Sequence, residues 1–386
     1  MNRYGASLIV LLGLALVIGM DPATEAAPGD EVKLSFVFMG CNRIQHSDWK
    51  KIKKDDPSSA NLPQIKQSFK DIAAMKPAPS YFFFVGDLVV NLEDDDGSIL
   101  KKQLEAWADL FHDSPVKGKL TLVPLPGNHE MLRKLKDDKD ADDTEVPNKH
   151  CDSVWLKWLK KSGFDTVARV ANGPTAGHPK EDHLVDDQSE LTYSFNIKDI
   201  HFIVINTDTI SSVIDPKTKH PYAGWVPYHW IEKDVKAAQE DSKISAIFLF
   251  GHKPIMDHPK KEEDSILNEG DYKLGDKLQS LFQSHSKVRA YLCAHEHVWD
   301  SAPLAKAPKV YQVIAGNAGS QLNSKWSPPG GTYFGFSEIK IYGHGKVGLI
   351  NHARPTPTPP QLYFEDHPQA PMAATPRPEE ILFAGS

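Results

Sequence analysis

The stretch YFFFVGDLVVN, residues 81–91, joins an apolar run to a glycine and an acidic residue. Five apolar residues in a row, followed by turn residues, predict a buried strand. Gly86 permits a tight turn, which places Asp87 just beyond the carboxyl end of that strand. Ligands of open α/β sheets bind at that end of the strands. The stretch therefore predicts a buried strand that presents a functional carboxylate at its end.

The same design recurs elsewhere, with an apolar run followed by side chains that can bind a metal or a phosphate. These runs lead into Gly40-Cys41-Asn42-Arg43, Gly127-Asn128-His129-Glu130, Gly251-His252-Lys253-Pro254 and His295-Glu296-His297. Taken alone, each block has an ordinary explanation, such as a turn or the start of a helix. Their repetition after successive predicted strands makes chance a poor explanation. We expect these distant residues to meet at one edge of the fold.

The residue types in these blocks suit a pair of cations. A carboxylate such as Asp87 can bridge two metal ions, because its charge offsets the repulsion between cations roughly 3.5–4 Å apart. Amide oxygen and imidazole nitrogen are ligands for borderline metals. The sequence offers them in Asn128, His252, His295 and His297.

The remaining sequence indicates one large α/β domain, at residues 32–352. Of the 386 residues, 40% are hydrophobic and 25% are charged, which is a globular composition. Predicted strands alternate with helical periodicity, while LTYSFNIKDIHFIVIN, residues 191–206, predicts an antiparallel hairpin. We therefore expect mixed sheets with helices outside. The net charge of −7 provides no basic field that would favour binding to nucleic acid, and the oligomeric state stays open.

The two ends of the chain differ from this domain. Residues 1–26 combine Arg3, a short apolar core and a small-residue cleavage site, which predicts a signal peptide and an exported protein. The apolar core is shorter than the about 20 residues that span a bilayer, so we expect no membrane span after cleavage. An uncleaved anchor is the alternative. Residues 353–386 are proline-rich and are predicted to form a tail without regular structure.

The order of the blocks resembles the calcineurin-like metallophosphoesterase superfamily. Within it, the spacing is most similar to purple acid phosphatases, and the first block resembles PhoD-type phosphatases. The resemblance implies a two-sheet mixed β-sandwich flanked by helices, in four αββα layers, with a dinuclear centre at the strand ends. The matching blocks are GDLVVN at 86–91, GNHE at 127–130, GH at 251–252 and AHEH at 294–297.

The resemblance also implies a role for each matching residue. Asp87 bridges the cations; Asn128, His252 and His295 bind the second; and His297 binds the first. His129 either protonates the leaving group or stabilises the transition state, so that Asp87 and His129 are the catalytic candidates, and Asn128 also contacts substrate. The implied reaction is hydrolysis of small phosphate monoesters by a metal-bound hydroxide, with iron beside zinc, manganese or a second iron. The alternatives are a phosphodiesterase with the same centre, or a catalytically impaired metal- and phosphate-binding protein.

The first block departs from the family pattern. Cys41 and Arg43 stand where the family has an aspartate and a histidine, and Val90 stands at the position of a tyrosine. PhoD-type enzymes bind iron through a cysteine in this block, so Cys41 is predicted to be a thiolate ligand. The alternatives for Cys41 are a small buried residue or a disulfide with Cys293. Because a guanidinium stays protonated, Arg43 cannot bind a metal and is predicted to clamp substrate phosphate, or else to be a surface or ion-paired arginine.

Overall fold

The structure is a computed structural model that describes residues 31–44, 61–92, 96–135, 144–256, 265–323, 331–354 and 372–385. The predicted signal peptide at 1–26 lies outside the described residues, as do residues 355–371 of the proline-rich segment. Within the part of the chain that is described, no helix is long and apolar enough to cross a membrane.

Short strands and helices alternate along the chain. The strands are β1 (Val32–Met39), β2 (Tyr81–Val85), β3 (Thr121–Leu125), β4 (Leu132–Lys134), β5 (Glu145–Pro147), β6 (Tyr193–Ile197), β7 (Ile200–Ile205), β8 (Ala246–Gly251), β9 (Val288–Cys293), β10 (Trp299–Leu304), β11 (Ala307–Ala315), β12 (Gly335–Tyr342), β13 (Val347–Ala353), β14 (Thr375–Pro376) and β15 (Glu380–Phe383). The helices are α1 (Asn61–Ala74), α2 (Ser98–His112), α3 (Asn128–Met131), α4 (Lys149–Ser162), α5 (Tyr228–Glu240) and α6 (Leu274–Ser284), with 3₁₀ turns at Ala168–Val170 and Lys180–Asp182.

The strands form two mixed sheets and one small hairpin. The first sheet has the order β14-β13-β12-β1-β2-β3, with β15 also paired to β13, and the second has the order β10-β11-β9-β8-β7-β6. Strands β1, β2 and β3 are parallel, and so are β7, β8, β9 and β11. Strands β6 and β7 pair antiparallel, which confirms the predicted hairpin, and β4 pairs with β5 outside both sheets.

Alternating side chains of the central strands divide between two layers of packing. Phe83 of β2 faces the other sheet and stacks on Phe250 of β8, with ring centroids 4.0 Å apart. Its neighbours Phe82 and Phe84 point the other way, into a cluster with residues of α1, α2 and α4. Residues of α5 and α6 cover the outer face of the second sheet. Helices thus enclose two facing sheets, and the predicted four-layer sandwich is confirmed.

The end of the chain differs from the prediction. Strands β14 and β15 pair with β13, so the first sheet takes in residues beyond 352. Leu382 is 6% exposed and belongs to the core between the sheets, and the Arg289 guanidinium lies 3.7 Å from the ring centre of Phe383. The prediction that this segment lacks regular structure is wrong for these strands. The high proline content of the segment predicts no strand, but its short apolar run at β15 pairs with the otherwise open side of β13.

Candidate metal centre

The residues predicted to bind metal all lie just beyond the carboxyl ends of parallel strands. Cys41 follows β1, Asp87 follows β2 and Asn128 begins α3 after β3, while the histidines follow β8 and β9 in the second sheet. Backbone hydrogen bonds join these strand ends. Cys41 N–H donates to the Gly86 carbonyl at 3.0 Å, and Ala294 N–H donates to the His252 carbonyl at 3.0 Å. Between the sheets, Gly40 N–H donates to the Ala315 carbonyl at 2.8 Å, so residues from both sheets reach one site.

Glycine makes the close approach of the two sheets possible. A Cβ atom on Gly127 would lie 2.4 Å from Asp87 Oδ1 and 2.9 Å from His252 Cε1. A Cβ atom on Gly86 would lie 2.3 Å from His252 Nδ1, and Gly86 also has a φ of 86°. Any other residue at either position would push Asp87 and His252 apart.

One group of ligand atoms is formed by Asp87, Asn128, His252 and His295. His252 Nε2 lies 3.1 Å from Asp87 Oδ1 and 3.1 Å from Asn128 Oδ1. His295 Nδ1 lies 3.2 Å from Asn128 Oδ1 and 3.2 Å from His252 Nε2. Atoms bound about 2.0–2.2 Å from one ion stand roughly 3–3.5 Å apart, so these four converge as the ligands of one cation do.

Hydrogen bonds at the back of this group set the direction of its lone pairs. His252 Nδ1 lies 2.8 Å from the Val85 carbonyl, so Nδ1 carries the proton and the lone pair of Nε2 faces the other ligands. Asn128 Nδ2 donates to Glu145 Oε2 at 2.8 Å, which turns Oδ1 towards the two imidazoles. The donor set therefore fits a cation in its chemistry as well as in its spacing.

A second group is formed by Cys41, Asp87 and His297, whose ligand atoms lie within 4.8 Å of one another. His297 Nδ1 lies 2.8 Å from the Gln321 carbonyl, so its lone pair is at Nε2. This Nε2 is buried, and it has no hydrogen-bond partner within the described parts of the chain. A buried acceptor without a partner is costly, and a cation beside it removes that cost. The residues present fit a cation here too.

The thiol of Cys41 needs such a cation in order to act as a ligand. Burial, followed by the negative charge of Asp87, raises the pKa of Cys41 well above its usual value. A thiolate therefore forms only with a cation bound beside it. The alternative of a Cys41–Cys293 disulfide is not realised, because both thiols are free and buried. Cys293 packs towards the helices and Cys41 packs between the sheets.

Arg43 binds the shared carboxylate directly. Its Nε and Nη2 atoms each lie 2.8 Å from Asp87 Oδ2, and a quarter of its side chain is exposed to the cleft. Burial alone would raise the pKa of Asp87, but His252, His129 and Arg43 hold it well below its usual range. The ion-paired alternative for Arg43 is thus the arrangement observed. The phosphate clamp stays a prediction.

His129 lies beside the same carboxylate. Its Nδ1 contacts the Val90 carbonyl, and its Nε2 lies 3.9 Å from Asp87 Oδ2. Burial and the nearby Arg43 lower the pKa of His129 to about 3. The neutral ring therefore donates from Nδ1 to Val90 and directs the lone pair of Nε2 to the carboxylate side. A bound phosphate would add negative charge there and raise this pKa again.

Two glutamates support the site, and sequence reasoning did not assign either to it. Glu130 is buried and accepts hydrogen bonds from the backbone N–H groups of Gly127, Asp87 and Val89, at 2.7–3.0 Å. The GNHE block contains Glu130, which is a signal in the sequence, but a glutamate at this position is equally typical of the start of a helix. Glu145 lies 17 residues beyond Asn128 in a charged segment that could line a site, but nothing in the sequence singles it out from the other acidic residues there.

The two groups border a cleft of about 620 Å³, and Asn128, His295 and His297 line its wall. Its walls carry three basic side chains, Arg43, Lys134 and Lys253, and two acidic ones, Glu145 and Glu296. Lys253 is largely buried and forms a 2.8 Å ion pair with Asp208. A polar cleft of this size is suited to a small charged molecule.

The fold is shared with known phosphatases. Purple acid phosphatase PPD1 from yellow lupin (Lupinus luteus) seeds superposes with a TM-score of 0.53 at 15% identity, covering 89% of this chain and 53% of that one. PhoD superposes with a TM-score of 0.52 at 11% identity, covering 90% of this chain and 69% of PhoD. A dimetal phosphatase from Danio rerio gives 0.50 at 10% identity, covering 84% and 97%. This chain thus spans about half the length of the lupin protein. At identities this low, the superpositions show a common fold and nothing more.

Sequence comparison gives the family itself. A search of the curated proteins finds no significant match. The sequence profile of the calcineurin-like phosphoesterase family, however, matches residues 45–299, which include Asp87, Asn128, His252, His295 and His297. The chain therefore belongs to the calcineurin-like phosphoesterase family.

Proposed function

We propose that this protein is an exported phosphatase that hydrolyses phosphate monoesters at a centre of two cations. The observation that carries the proposal is the sharing of Asp87 by two ligand groups, one with Cys41 and His297 and one with His252 and His295. Two cations held there would supply Lewis-acid chemistry, which lowers the pKa of bound water and neutralises charge on phosphate oxygens.

The chain's own residues would bind and orient the substrate between these groups. Asn128 lines the cleft next to the second ligand group, where it can contact a phosphate oxygen as well as the cation. His129 Nε2 borders the cleft beside Asp87, so a proton held there can be given to the leaving group, or the ring can stabilise the transition state. Glu145 and Glu130 keep Asn128 and Asp87 in position and take no direct part.

The preference for monoesters over diesters rests on the resemblance to purple acid phosphatases and on the proposed pair of cations. A monoester brings a phosphate with up to two negative charges, which two cations would neutralise, whereas Arg43 and Lys253 of the walls are already paired with Asp87 and Asp208. A diester carries one charge and a second substituent that must also fit. The ligands would be the same for both substrates, so only an assay separates them. Resemblance suggests iron beside zinc, manganese or a second iron, and thiolate with imidazole also suits zinc alone.

Metal content and hydrolysis test the proposal together. We expect two metal ions per chain by elemental analysis, and faster hydrolysis of an aryl phosphate than of the matching diaryl phosphate. One equivalent or none, with no hydrolysis after metal is supplied, would instead support the impaired binding protein. Cys41→Ser is expected to lower metal content. If neither metal content nor visible absorption changes, Cys41 is not a ligand.

Export is proposed from the sequence of residues 1–26 alone. Cell fractionation with amino-terminal sequencing of the mature protein tests it. A mature chain outside the cytoplasm that begins near Ala27 is the expected result. A cytoplasmic protein with an intact amino terminus would contradict it.

A further inference from the structure

Arg43 introduces a permanent positive charge into the first ligand group. Its Nε and Nη2 atoms both bind Oδ2 of Asp87 at 2.8 Å, and its backbone N–H donates to the Asp87 carbonyl at 2.9 Å. Because both the backbone and the side chain of Arg43 form hydrogen bonds with Asp87, the position of the guanidinium is fixed. That place is two residues beyond Cys41, one of the ligands of this group.

The two oxygens of Asp87 therefore face different surroundings. Oδ1 faces His252 Nε2 at 3.1 Å and receives the His129 backbone N–H at 3.3 Å. A cation at the second position, on the side of Oδ1, would therefore be surrounded by imidazole and amide ligands. Oδ2 already carries the guanidinium. A cation that Cys41 and His297 bind beside this carboxylate must tolerate the nearby guanidinium or displace it.

Either outcome weakens the first position. A guanidinium stays protonated in proteins, so it repels a divalent cation a few ångströms away, and the repulsion is strong inside a partly buried cleft. If the arginine is displaced instead, its ion pair with a buried carboxylate is lost. The first group also has fewer imidazoles than the second, since it has one histidine where the second has two.

We propose that Arg43 makes the two cation positions unequal. The second position, with Asn128, His252 and His295, retains its cation, while the first position, with Cys41 and His297, exchanges its cation with the solution. Arg43 is thus a positioning residue that sets how activity depends on the concentration of free divalent metal. The inference rests on the proposed two-cation centre and adds to it an order of filling.

A titration of the metal-free full-length protein with Co²⁺ alone tests this order. Thiolate bound to Co²⁺ absorbs in the near ultraviolet, so it reports the first position, and equilibrium dialysis counts both ions. We expect the first equivalent of Co²⁺ to bind without producing the thiolate absorption band. The band should appear only when the second equivalent binds, at higher Co²⁺ concentration. In Arg43→Met, removal of the charge should lower the dissociation constant of the first position by at least about tenfold.

Arg43→Lys is the matched control, because it keeps a positive charge beside Asp87 but loses the forked geometry. The proposal expects Lys to keep the first position weak and Met to tighten it. Arg43→Gln, which is neutral but retains donors, should follow Met and covers the case in which Met fails to fold. Equal behaviour of the charged and neutral variants overturns the proposal. If the parent chain binds two equivalents with equal affinity, this inference fails and the two-cation centre stands; if it binds none, both fail.

Discussion

Asp87 is a fully buried charge, and its neighbours account for its presence. An unpaired buried carboxylate costs several kcal/mol, so it persists only where partners surround it. Arg43 supplies a fixed charge at one oxygen, and His252 and the His129 backbone supply contacts at the other. The unusual first block of the sequence is thus part of what keeps this carboxylate ionised.

Glu145 should control the affinity of the second cation position through Asn128. Glu145→Ala removes the acceptor of Asn128 Nδ2, so the amide is free to turn its oxygen away from the imidazoles. Loss of such an outer partner commonly weakens metal binding about 10–100-fold. We expect that weakening for the tighter of the two Co²⁺ equivalents, measured by equilibrium dialysis.

Glu145→Gln separates orientation from charge. It removes the negative charge from the cleft but keeps an oxygen that can accept from Asn128. We expect it to retain most of the affinity. If Gln and Ala lose the same amount, the effect of Glu145 is electrostatic, and the orienting role assigned to it is wrong.

At the scale of the elements, the site depends on short turns that follow the strands. Cys41, Asp87 and His295 all have positive φ angles, of 60°, 57° and 65°. Such angles cost a non-glycine residue of order 1–3 kcal/mol and persist where the surrounding structure enforces them. Here the enforcing contacts are backbone hydrogen bonds between neighbouring strand ends, such as that from Cys41 to Gly86.

Gly127→Ala should disable the centre although it replaces none of the ligand residues. The added Cβ would lie 2.4 Å from Asp87 Oδ1 and 2.6 Å from its backbone nitrogen, neither of which has room to move. Since both ligand groups share Asp87, we expect loss of cation binding at both positions. A misplacement of about 1 Å in a catalytic site costs roughly 100-fold in rate, and kcat for an aryl phosphate should fall by at least that factor.

Gly118→Ala is the comparison for this change. Gly118 has a φ of 73°, and nothing lies within 4 Å of the position its Cβ would take. It should cost about 1 kcal/mol of backbone strain and leave metal content unaltered. Normal binding of two cations by Gly127→Ala would show that the strand ends are less tightly packed than these distances indicate.

The same elements show how far sequence reasoning extends. Strands followed by glycine and a polar residue were predictable, because apolar runs and turn residues are local signals. The direction in which side chains point beyond the end of a strand was not predictable. Strand alternation would place Cys293 and His295 on one face, but the strand ends at Cys293 and His295 adopts a left-handed conformation. Glu145 was missed for a similar reason, since its contact with Asn128 depends on a hairpin that folds back over the cleft.

At the scale of the whole molecule, the two sheets meet in one aromatic core, and the chain end completes it. Phe36, Phe83, Phe202 and Phe250 pack together from both sheets. Strand β15 covers the side of β13 that would otherwise be an open edge of the first sheet. Proline content predicted a tail without structure, because composition cannot show that four residues find a partner strand more than thirty residues earlier in the chain.

Leu382 should report whether this last strand contributes to stability. It is 6% exposed and lies in the core between the sheets, whereas its neighbour Ile381 is 42% exposed on the opposite face of β15. Leu382→Ala leaves a cavity in that core and should cost about 2–5 kcal/mol, while Ile381→Ala should change stability by only about 0.5 kcal/mol. Both are measured as shifts of the urea midpoint. Because the two changes are made in one strand and differ mainly in burial, equal small shifts would mean that β15 is not docked in solution.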